Sequence, residues 1–361
     1  MTSPGIFHLV GLMSGTSGDG LDMAYCRFEF NGQWKYEIIR AETEAFPNDL
    51  GKKLQNAPNF SGLQLSLLDR EFGNWMGQAV KKFCQKFQLN ADAIASHGHT
   101  VFHQPEKKFT LQIGNGWSLS RASGMPVICD FRSLDIQLGG QGAPLAPIGD
   151  HYLFPKYDFC LNLGGIANIS MMKENQRIAF DISPFNLLLN YLAEKKGMPY
   201  DDQGKLARNG MVDPELLNAL NHLSYYEQKG AKSLGREDLE KDFLPLIKNM
   251  DASPENISAT LVEHYSIQIS KSIKEYSLKK EQQVLVSGGG AYHTYFIEKL
   301  QHRLGKDIKV VVPEKSIIDY KEALIFAFLG VLRMRNEVNT FKSVTGASQN
   351  SCGGLLFDAN K

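Results

Sequence analysis

The fold of this chain is decided by residues 7–30, which read FHLVGLMSGTSGDGLDMAYCRFEF. Phe7 to Met13 is an apolar run that opens into a turn of glycine, serine and threonine, and Leu21 to Phe30 then alternates moderately. This pattern predicts a strand, a tight loop and a second strand. The loop is not a Walker loop, because no Gly-Lys-Ser/Thr follows it. It also lacks the helix that should follow a dinucleotide-binding glycine fingerprint.

The second half of the chain opens in the same way. Phe159 to Leu163 leads into Gly164-Gly165 and then into a second apolar run. A third glycine site, Ser287–Gly290, ends a buried strand and precedes a helix that we expect from about Thr294. The repetition predicts a duplicated α/β architecture with mixed sheets flanked by helices. We expect two domains, 1–145 and 146–361, with a nucleotide cleft between them and the last helix as a candidate to pack back on the first domain.

Composition narrows the possible functions. The formal net charge of the 361 residues is zero, so no global field recruits nucleic acid or an anionic membrane. The most apolar run, Ala323 to Leu332, is about half as long as a membrane span and predicts a buried helix. Five separated cysteines without a Cys-x-x-Cys pair fit a reducing compartment. With no signal-like N-terminus, we expect a cytoplasmic protein.

Glycine turns of this composition can hold phosphate. Glycines let backbone N–H groups approach phosphate closely, and hydroxyls add donors. Asp19 or Asp22 can hold Mg²⁺, usually through water. An ordinary hairpin turn is the alternative for any one of these stretches. The three sites together, in this order, resemble the actin, sugar kinase and heat-shock chaperone superfamily. That resemblance implies ATP contacts from Gly11, Ser14, Gly15, Thr16, Ser17, Asp19, Gly20, Gly164, Gly165, Asn168, Gly288, Gly289 and Gly290.

A closer resemblance rests on six stretches in chain order. They are Gly11–Asp22, Ser96–Thr100, Asp130–Arg132, Gly139–Leu145, Asn162–Asn168 and Val344–Ala347. Together they resemble the anhydro-N-acetylmuramic acid kinases over essentially the whole chain. The resemblance implies an enzyme that uses Mg-ATP to open 1,6-anhydro-N-acetylmuramic acid with water and to phosphorylate O6, giving N-acetylmuramic acid 6-phosphate in cell-wall recycling. It also implies a homodimer.

Two carboxylates are candidate catalytic residues. Asp181 is the candidate base, because it ends a predicted strand before a helix and matches the family's catalytic aspartate. Capping of that helix is the alternative, although Ser183 and Pro184 suit the N-cap and first turn better. Glu322 matches a family glutamate near the substrate. We place it in the first turn of an apolar helix, where the helix dipole gives an equally good structural explanation.

Arg132 can grip a carboxylate with two hydrogen bonds, which suits the lactyl acid of the sugar. An Arg132–Asp130 pair that holds a loop is the competing explanation. We expect His97, Thr100 and Asn186 to contact the sugar. The spacing of the histidines at positions 97, 99 and 103, without a nearby cysteine, argues against zinc.

The chain departs from the family near the proposed base. Where the family has Gly-Pro-Gly-Asn, this chain has Ser183-Pro184-Phe185-Asn186, and His99 replaces glutamine. We expect Phe185 to narrow the pocket or reorient the loop. Two alternatives therefore stay open at this point. One is a kinase of the same fold for another sugar, since fold does not fix the acceptor. The other is a non-enzymatic ATP-binding switch.

Overall fold

The structure is a computed structural model that describes residues 5–15, 20–228, 232–248 and 250–360. The strands are β1 (Gly5–Ser14), β2 (Gly20–Phe30), β3 (Trp34–Ala45), β4 (Ala93–Ser96), β5 (His99–Gln104), β6 (Phe109–Ile113), β7 (Val127–Cys129), β8 (Phe159–Leu163), β9 (Ile166–Lys173), β10 (Gln176–Pro184), β11 (Gln282–Ser287), β12 (Ile308–Val311) and β13 (Leu355–Phe357). The α-helices are α1 (Asn48–Asn56), α2 (Gly62–Phe87), α3 (Gly116–Ser123), α4 (Ser133–Gln137), α5 (Ala146–Leu153), α6 (Asn186–Glu194), α7 (Lys205–Arg208), α8 (Pro214–Asn221), α9 (Arg236–Asp238), α10 (Leu244–Lys248), α11 (Pro254–Glu275), α12 (Thr294–Leu304), α13 (Lys315–Met334) and α14 (Lys342–Thr345).

The chain divides into two compact units. Unit 1 comprises residues 1–154 and 320–361, and unit 2 comprises residues 155–319. The main sheet of unit 1 has the strand order β13-β7-β4-β1-β2-β3. β1, β2 and β3 form an antiparallel meander, whereas β4 pairs with β1 and β7 pairs with β4 in parallel. The predicted domain boundary at 145/146 stays a prediction.

Unit 2 repeats this topology. Its sheet has the order β10-β9-β8-β11-β12, again with an antiparallel meander followed by two parallel strands. Both sheets therefore place their first hairpin and their first parallel strand at equivalent positions. The α/β fold predicted from the two glycine hairpins, duplicated and built on mixed sheets flanked by helices, is confirmed.

A capping motif and a backbone contact position the two long helices of unit 1, α2 and α13. A capping box starts α2: the Ser61 hydroxyl accepts the Gln64 N–H, and the Gln64 side chain accepts the Ser61 N–H. Helix α13 packs directly on β1, because a side chain on Gly11 would come within 1.9 Å of the Ala323 carbonyl oxygen. Gly11 is thus required by backbone-to-backbone packing, whatever it contributes to nucleotide binding.

Each unit has its own apolar core. In unit 1, β1, β2 and β4 pack on α2 through residues such as Val10, Phe72 and Ile94. In unit 2, the sheet packs on α6, α11 and α12 through residues such as Tyr265 and Phe296. Within the described ranges, no helix is both long and apolar enough to cross a membrane.

Two predicted helix starts are wrong. Ser183 and Pro184 are not the N-cap and first turn of a helix; both belong to β10 and pair with Ala167 and Ile166 across a β-bulge. Helix α6 begins after Phe185, without a side-chain cap. Glu322 is not in a first turn either, because α13 begins at Lys315 and Glu322 lies two turns inside it. The explanation of Glu322 by the helix dipole is therefore wrong.

Candidate active site

The first glycine turn joins β1 to β2. Ser14 ends β1 and is almost fully buried, and its Oγ lies 3.0 Å from Nδ1 of His99. Burial lowers the pKa of His99, so the imidazole is neutral and fixes the Ser14 hydroxyl. His99, the residue that stands in place of glutamine, thus holds a predicted phosphate ligand. The predictions for Thr16, Ser17 and Asp19 concern positions outside the residues that the structure describes.

Arg132 is held by two partners within unit 1. Its Nη1 donates to the Gly142 carbonyl at 2.7 Å, and its Nε donates to His97 Nε2 at 3.1 Å. The Asp130 carboxylate instead accepts the Ser133 N–H, so the alternative of an Arg132–Asp130 pair is wrong. Burial and the nearby guanidinium lower the pKa of His97. A neutral His97 can accept from Arg132 and so orients the fork.

Glu322 lies among charged groups of unit 1. Its side chain reaches solvent, yet the surrounding protein removes enough water to raise its pKa. Arg132 and Lys321 oppose that rise, whereas Asp22 adds to it. The Asp22 carboxylate accepts the Thr43 hydroxyl at 2.6 Å. The structure therefore brings together three predicted site residues of unit 1: Glu322, Arg132 and Asp22.

His97 lies in the turn from β4 into β5, and Thr100 follows the turn on β5. The Thr100 hydroxyl accepts from Gln112 Nε2 at 3.3 Å across the small β5–β6 sheet. His97 packs its ring 4.7 Å from that of Phe326. Their contacts hold the hairpin and Arg132 in place, and contact with the sugar stays a prediction for both.

Sequence analysis did not identify Asp135, whose carboxylate joins the stretches Gly139–Leu145 and Val344–Ala347. The Asp135 carboxylate accepts the Gly142 N–H at 2.8 Å and the Thr345 hydroxyl at 2.7 Å. It is 1% exposed, so these donors replace water around a buried charge. Its position one turn after Arg132, inside a short helix, gave no sign of this role.

The second glycine turn closes over the start of α6. The Phe185 N–H donates to the Gly165 carbonyl at 2.8 Å, and the Asn186 N–H donates to the Gly164 carbonyl at 3.1 Å. Asn186 Nδ2 also donates to the Leu163 carbonyl at 3.1 Å. The turn thereby satisfies the free N–H groups that a helix N-terminus leaves. Asn168 lies on β9, opposite Asp181.

Phe185 does not narrow a pocket, contrary to our expectation. Its side chain is fully buried in the unit 2 core, with its ring centroid 4.8 Å from that of Phe296 and 5.3 Å from that of Tyr265. Phe185 lies between the end of β10 and the start of α6. This departure from the family pattern is therefore absorbed by the core.

The third glycine turn borders a cavity of about 680 Å³ in unit 2. Gly288 has a φ of +78°, and a side chain there would come within 2.7 Å of Asn162 Oδ1. The cavity walls come from α6, the segment before α7, the third turn and the start of α13; they include Asn186, Asp201, Gly289, His293 and Lys315. Asn186, predicted as a sugar ligand, thus lies beside the predicted nucleotide loop.

Asp181 lies at the β-bulge of β10. Its Oδ2 accepts the Leu234 N–H at 2.9 Å. Burial raises the pKa of Asp181 to about 6, and the Leu234 N–H acts in the opposite direction. This carboxylate therefore changes protonation near neutral pH, as a general base requires. It does not cap α6, so the capping alternative is wrong.

Asp22 is a carboxylate that suits a magnesium ion bound together with ATP. Among residues 5–15, 20–228, 232–248 and 250–360, no three His, Cys, Asp or Glu side chains are grouped to hold a metal by themselves. Mg²⁺ bound with ATP needs no such group, because it takes one or two carboxylates and completes its shell with phosphate and water. Asp22, held by Thr43, fits that requirement.

The comparison with known proteins decides the family. The family model described as anhydro-N-acetylmuramic acid kinase matches residues 7–359. The chain belongs to this family. The anhydro-N-acetylmuramic acid kinase of Aliivibrio fischeri is 33% identical, over 97% of this chain and 99% of the relative. The enzyme of the same name from Saccharophagus degradans is also 33% identical, over 98% and 99%.

Membership confirms the predicted family and the predicted class of enzyme, an ATP-dependent sugar kinase. A solved structure with some likeness is the activator of the 2-hydroxyisocaproyl-CoA dehydratase from Clostridium difficile. It is 13% identical and covers 91% of this chain and 96% of its own. The TM-score of 0.44 is too low to add to the fold assignment. The roles of individual residues in this family member stay predictions.

Proposed function

We propose that this family member opens the 1,6-anhydro bond of 1,6-anhydro-N-acetylmuramic acid with water and transfers the γ-phosphate of ATP to O6. The product is N-acetylmuramic acid 6-phosphate. The observation that carries the proposal is Asp181, a half-buried carboxylate with a pKa of about 6 at the bulge of β10. The names of the family and of its relatives supply the substrate.

The chemistry assigns one step to Asp181. Its free carboxylate oxygen takes a proton from water as the water oxygen bonds to C1 of the sugar. The C1–O6 bond breaks and its electron pair goes to O6. O6 bonds to the γ-phosphorus, and the bond to the bridging oxygen breaks to release ADP. Asp181 later returns its proton to solvent.

The other residues bind and orient. Arg132, oriented by His97 and the Gly142 carbonyl, binds the lactyl carboxylate through the N–H groups that these two partners leave on its Nη atoms. Glu322 is within the field of Arg132 and accepts a sugar hydroxyl. The unit 2 cavity and Gly288–Gly290 bind the nucleoside part of ATP, since about 680 Å³ is within the range of small-molecule sites.

Magnesium would neutralise charge on the ATP phosphates, with Asp22 holding its hydration shell. We expect EDTA to stop turnover and excess Mg²⁺ to restore it. A cytoplasmic homodimer is a further part of the proposal. Analytical ultracentrifugation of the purified chain tests the dimer, and a single sedimenting species of about 40 kDa would contradict it.

Turnover in ¹⁸O-water tests the reaction directly. The sugar phosphate should carry one ¹⁸O at C1, and one ADP should form for each sugar phosphate. Asp181→Asn should abolish both, whereas the exposed Asp251→Asn should change neither. ADP formation that is independent of the sugar would contradict the proposal. Sugar phosphate from another amino sugar would instead favour a different acceptor.

A further inference from the structure

Asp181 is hydrogen-bonded through three of its atoms to three residues: Tyr225, Lys232 and Leu234. The Tyr225 hydroxyl donates to the Asp181 carbonyl at 2.7 Å. The Asp181 N–H donates to the Lys232 carbonyl at 2.9 Å. The Leu234 N–H donates to Asp181 Oδ2, also at 2.9 Å. Both the backbone and the side chain of the proposed base are thus held by hydrogen bonds.

The partners of Asp181 are bonded to each other as well. Lys232 Nζ donates to the Tyr225 carbonyl at 3.1 Å and lies 4.2 Å from the centroid of the Tyr225 ring. The Gly235 N–H donates to Asp238 at 2.7 Å, which ties the segment to α9. Leu234 is buried in the unit 2 core. The Leu234 N–H therefore approaches Asp181 from a position fixed on several sides.

We propose that the backbone N–H of Leu234 is a positioning donor for the general base. It holds Oδ2 of Asp181, so that Oδ1 is the oxygen that takes the proton from water. This inference rests on the proposed role of Asp181. A carboxylate with one oxygen fixed needs no reorientation when water arrives, and such preorganisation is a recognised source of rate.

The hydrogen bond from the Leu234 N–H also affects the pH range in which Asp181 is ionised. A donor to a carboxylate favours the ionised form, and it acts here against burial, which raises the pKa of Asp181. Other titratable groups lie near Asp181. Tyr225 and Lys232 are beside it, and Asp238 accepts from Gly235. Lys271 and Glu275 of α11 act on Lys232. Loss of the Leu234 donor should move the titration of Asp181 to higher pH.

The sharpest test replaces the Leu234 N–H by an oxygen atom, which cannot donate. Replacing Leu234 by its α-hydroxy acid analogue turns the amide into an ester and keeps the side chain. We expect the acid limb of the kcat/KM profile for the sugar to move up by about one pH unit, with activity at pH 6 falling severalfold to tenfold. Leu234→Met keeps both the N–H and nearly the volume of the buried side chain, so its limb should stay in place.

Carboxyl NMR gives a second readout, the titration of Asp181 itself, which does not depend on enzyme activity. In protein labelled with ¹³C at aspartate carboxyl groups, the Asp181 resonance is the one absent from Asp181→Asn. Its titration midpoint should rise in the ester variant and not in Leu234→Met. An unchanged midpoint in the ester variant would overturn the inference even if Asp181→Asn were inactive. A fully active Asp181→Asn would instead overturn the proposed function.

Discussion

The ring of Phe185 occupies the space that a side chain on Gly290 would need. A Cβ at position 290 would lie 2.5 Å from Cε1 of Phe185 and 2.6 Å from Cβ of Leu163. The start of α6 and the third glycine turn are therefore in direct contact through an aromatic ring and a missing side chain. Phe185 replaces a residue without a side chain in the family pattern. The contact therefore requires both the aromatic ring at position 185 and the glycine at position 290.

Gly290→Ala should destabilise the protein by about 1–3 kcal/mol, because overpacking a filled core forces side chains off their rotamers. The measurement is the midpoint of thermal or urea unfolding. Adding Phe185→Leu should recover part of the loss, and the double-mutant cycle gives the coupling. Gly62→Ala is the control, since a Cβ at position 62 would meet no atom within 4 Å. Equal losses from both alanines would contradict the packing explanation.

Asp181→Asn should stabilise the fold at pH 8 while it abolishes activity. The pKa of Asp181 is raised to about 6 in the folded protein from 3.8, so the unfolded chain ionises more easily. Ionised Asp181 therefore lowers folded stability above about pH 6, by up to about 3 kcal/mol. The difference grows between the unfolded pKa of 3.8 and the folded pKa of about 6, and it disappears only well below pH 3.8, where the carboxyl is protonated in both states. Thermal midpoints of both proteins from pH 4 to pH 8 test this, and a constant difference would contradict it.

Arg132→Lys should lower kcat/KM for the sugar roughly 10- to 100-fold, the size expected for hydrogen bonds to a charged group. An ammonium group cannot reproduce the fork that reaches the Gly142 carbonyl and His97 together. The KM for ATP should change little. Steady-state kinetics with each substrate varied in turn separate the two effects. The exposed Arg40→Lys is the matched control, and equal changes in both variants would argue against a sugar contact.

Asp135→Ala should cost roughly 3 kcal/mol of stability, since it leaves the Gly142 N–H and the Thr345 hydroxyl without their buried acceptor. Thr345→Val removes one of the two donors and should cost less. Urea unfolding of both variants checks the order. Asp251→Ala, at an exposed position, should leave the midpoint unchanged. A larger loss from Thr345→Val than from Asp135→Ala would contradict the assignment.

Much of the fold could be predicted, because strands and glycine turns leave local patterns. The apolar run before Gly164 and the alternation after Leu21 each indicate a strand without knowledge of its partner. The start of α6 could not be found in this way. Ser183 and Pro184 have the properties of a helix start, but pairing with β9 across a bulge holds both in the strand.

The site was less accessible to sequence analysis, because its geometry depends on distant contacts. Asp181 could be selected from its place at the end of a predicted strand and from the family motif. Its donor, Leu234, lies 53 residues further along and has an ordinary apolar side chain, since the contact uses only its backbone. The Ser14–His99 contact spans 85 residues and the Asp135–Thr345 contact spans 210. A single sequence carries no local signal for such pairs.

The division of the chain also has a consequence during synthesis. Unit 2 is one continuous segment of 165 residues, inserted between the two parts of unit 1. At roughly 5–20 residues per second, the ribosome needs about 10–30 s to make that segment. During this time the first 154 residues have emerged, but the helix that packs on Gly11 has not been made. One apolar face of the nascent sheet that contains β1 and β4 therefore stays uncovered while unit 2 is synthesised, and exposed apolar surface of this kind is prone to aggregation.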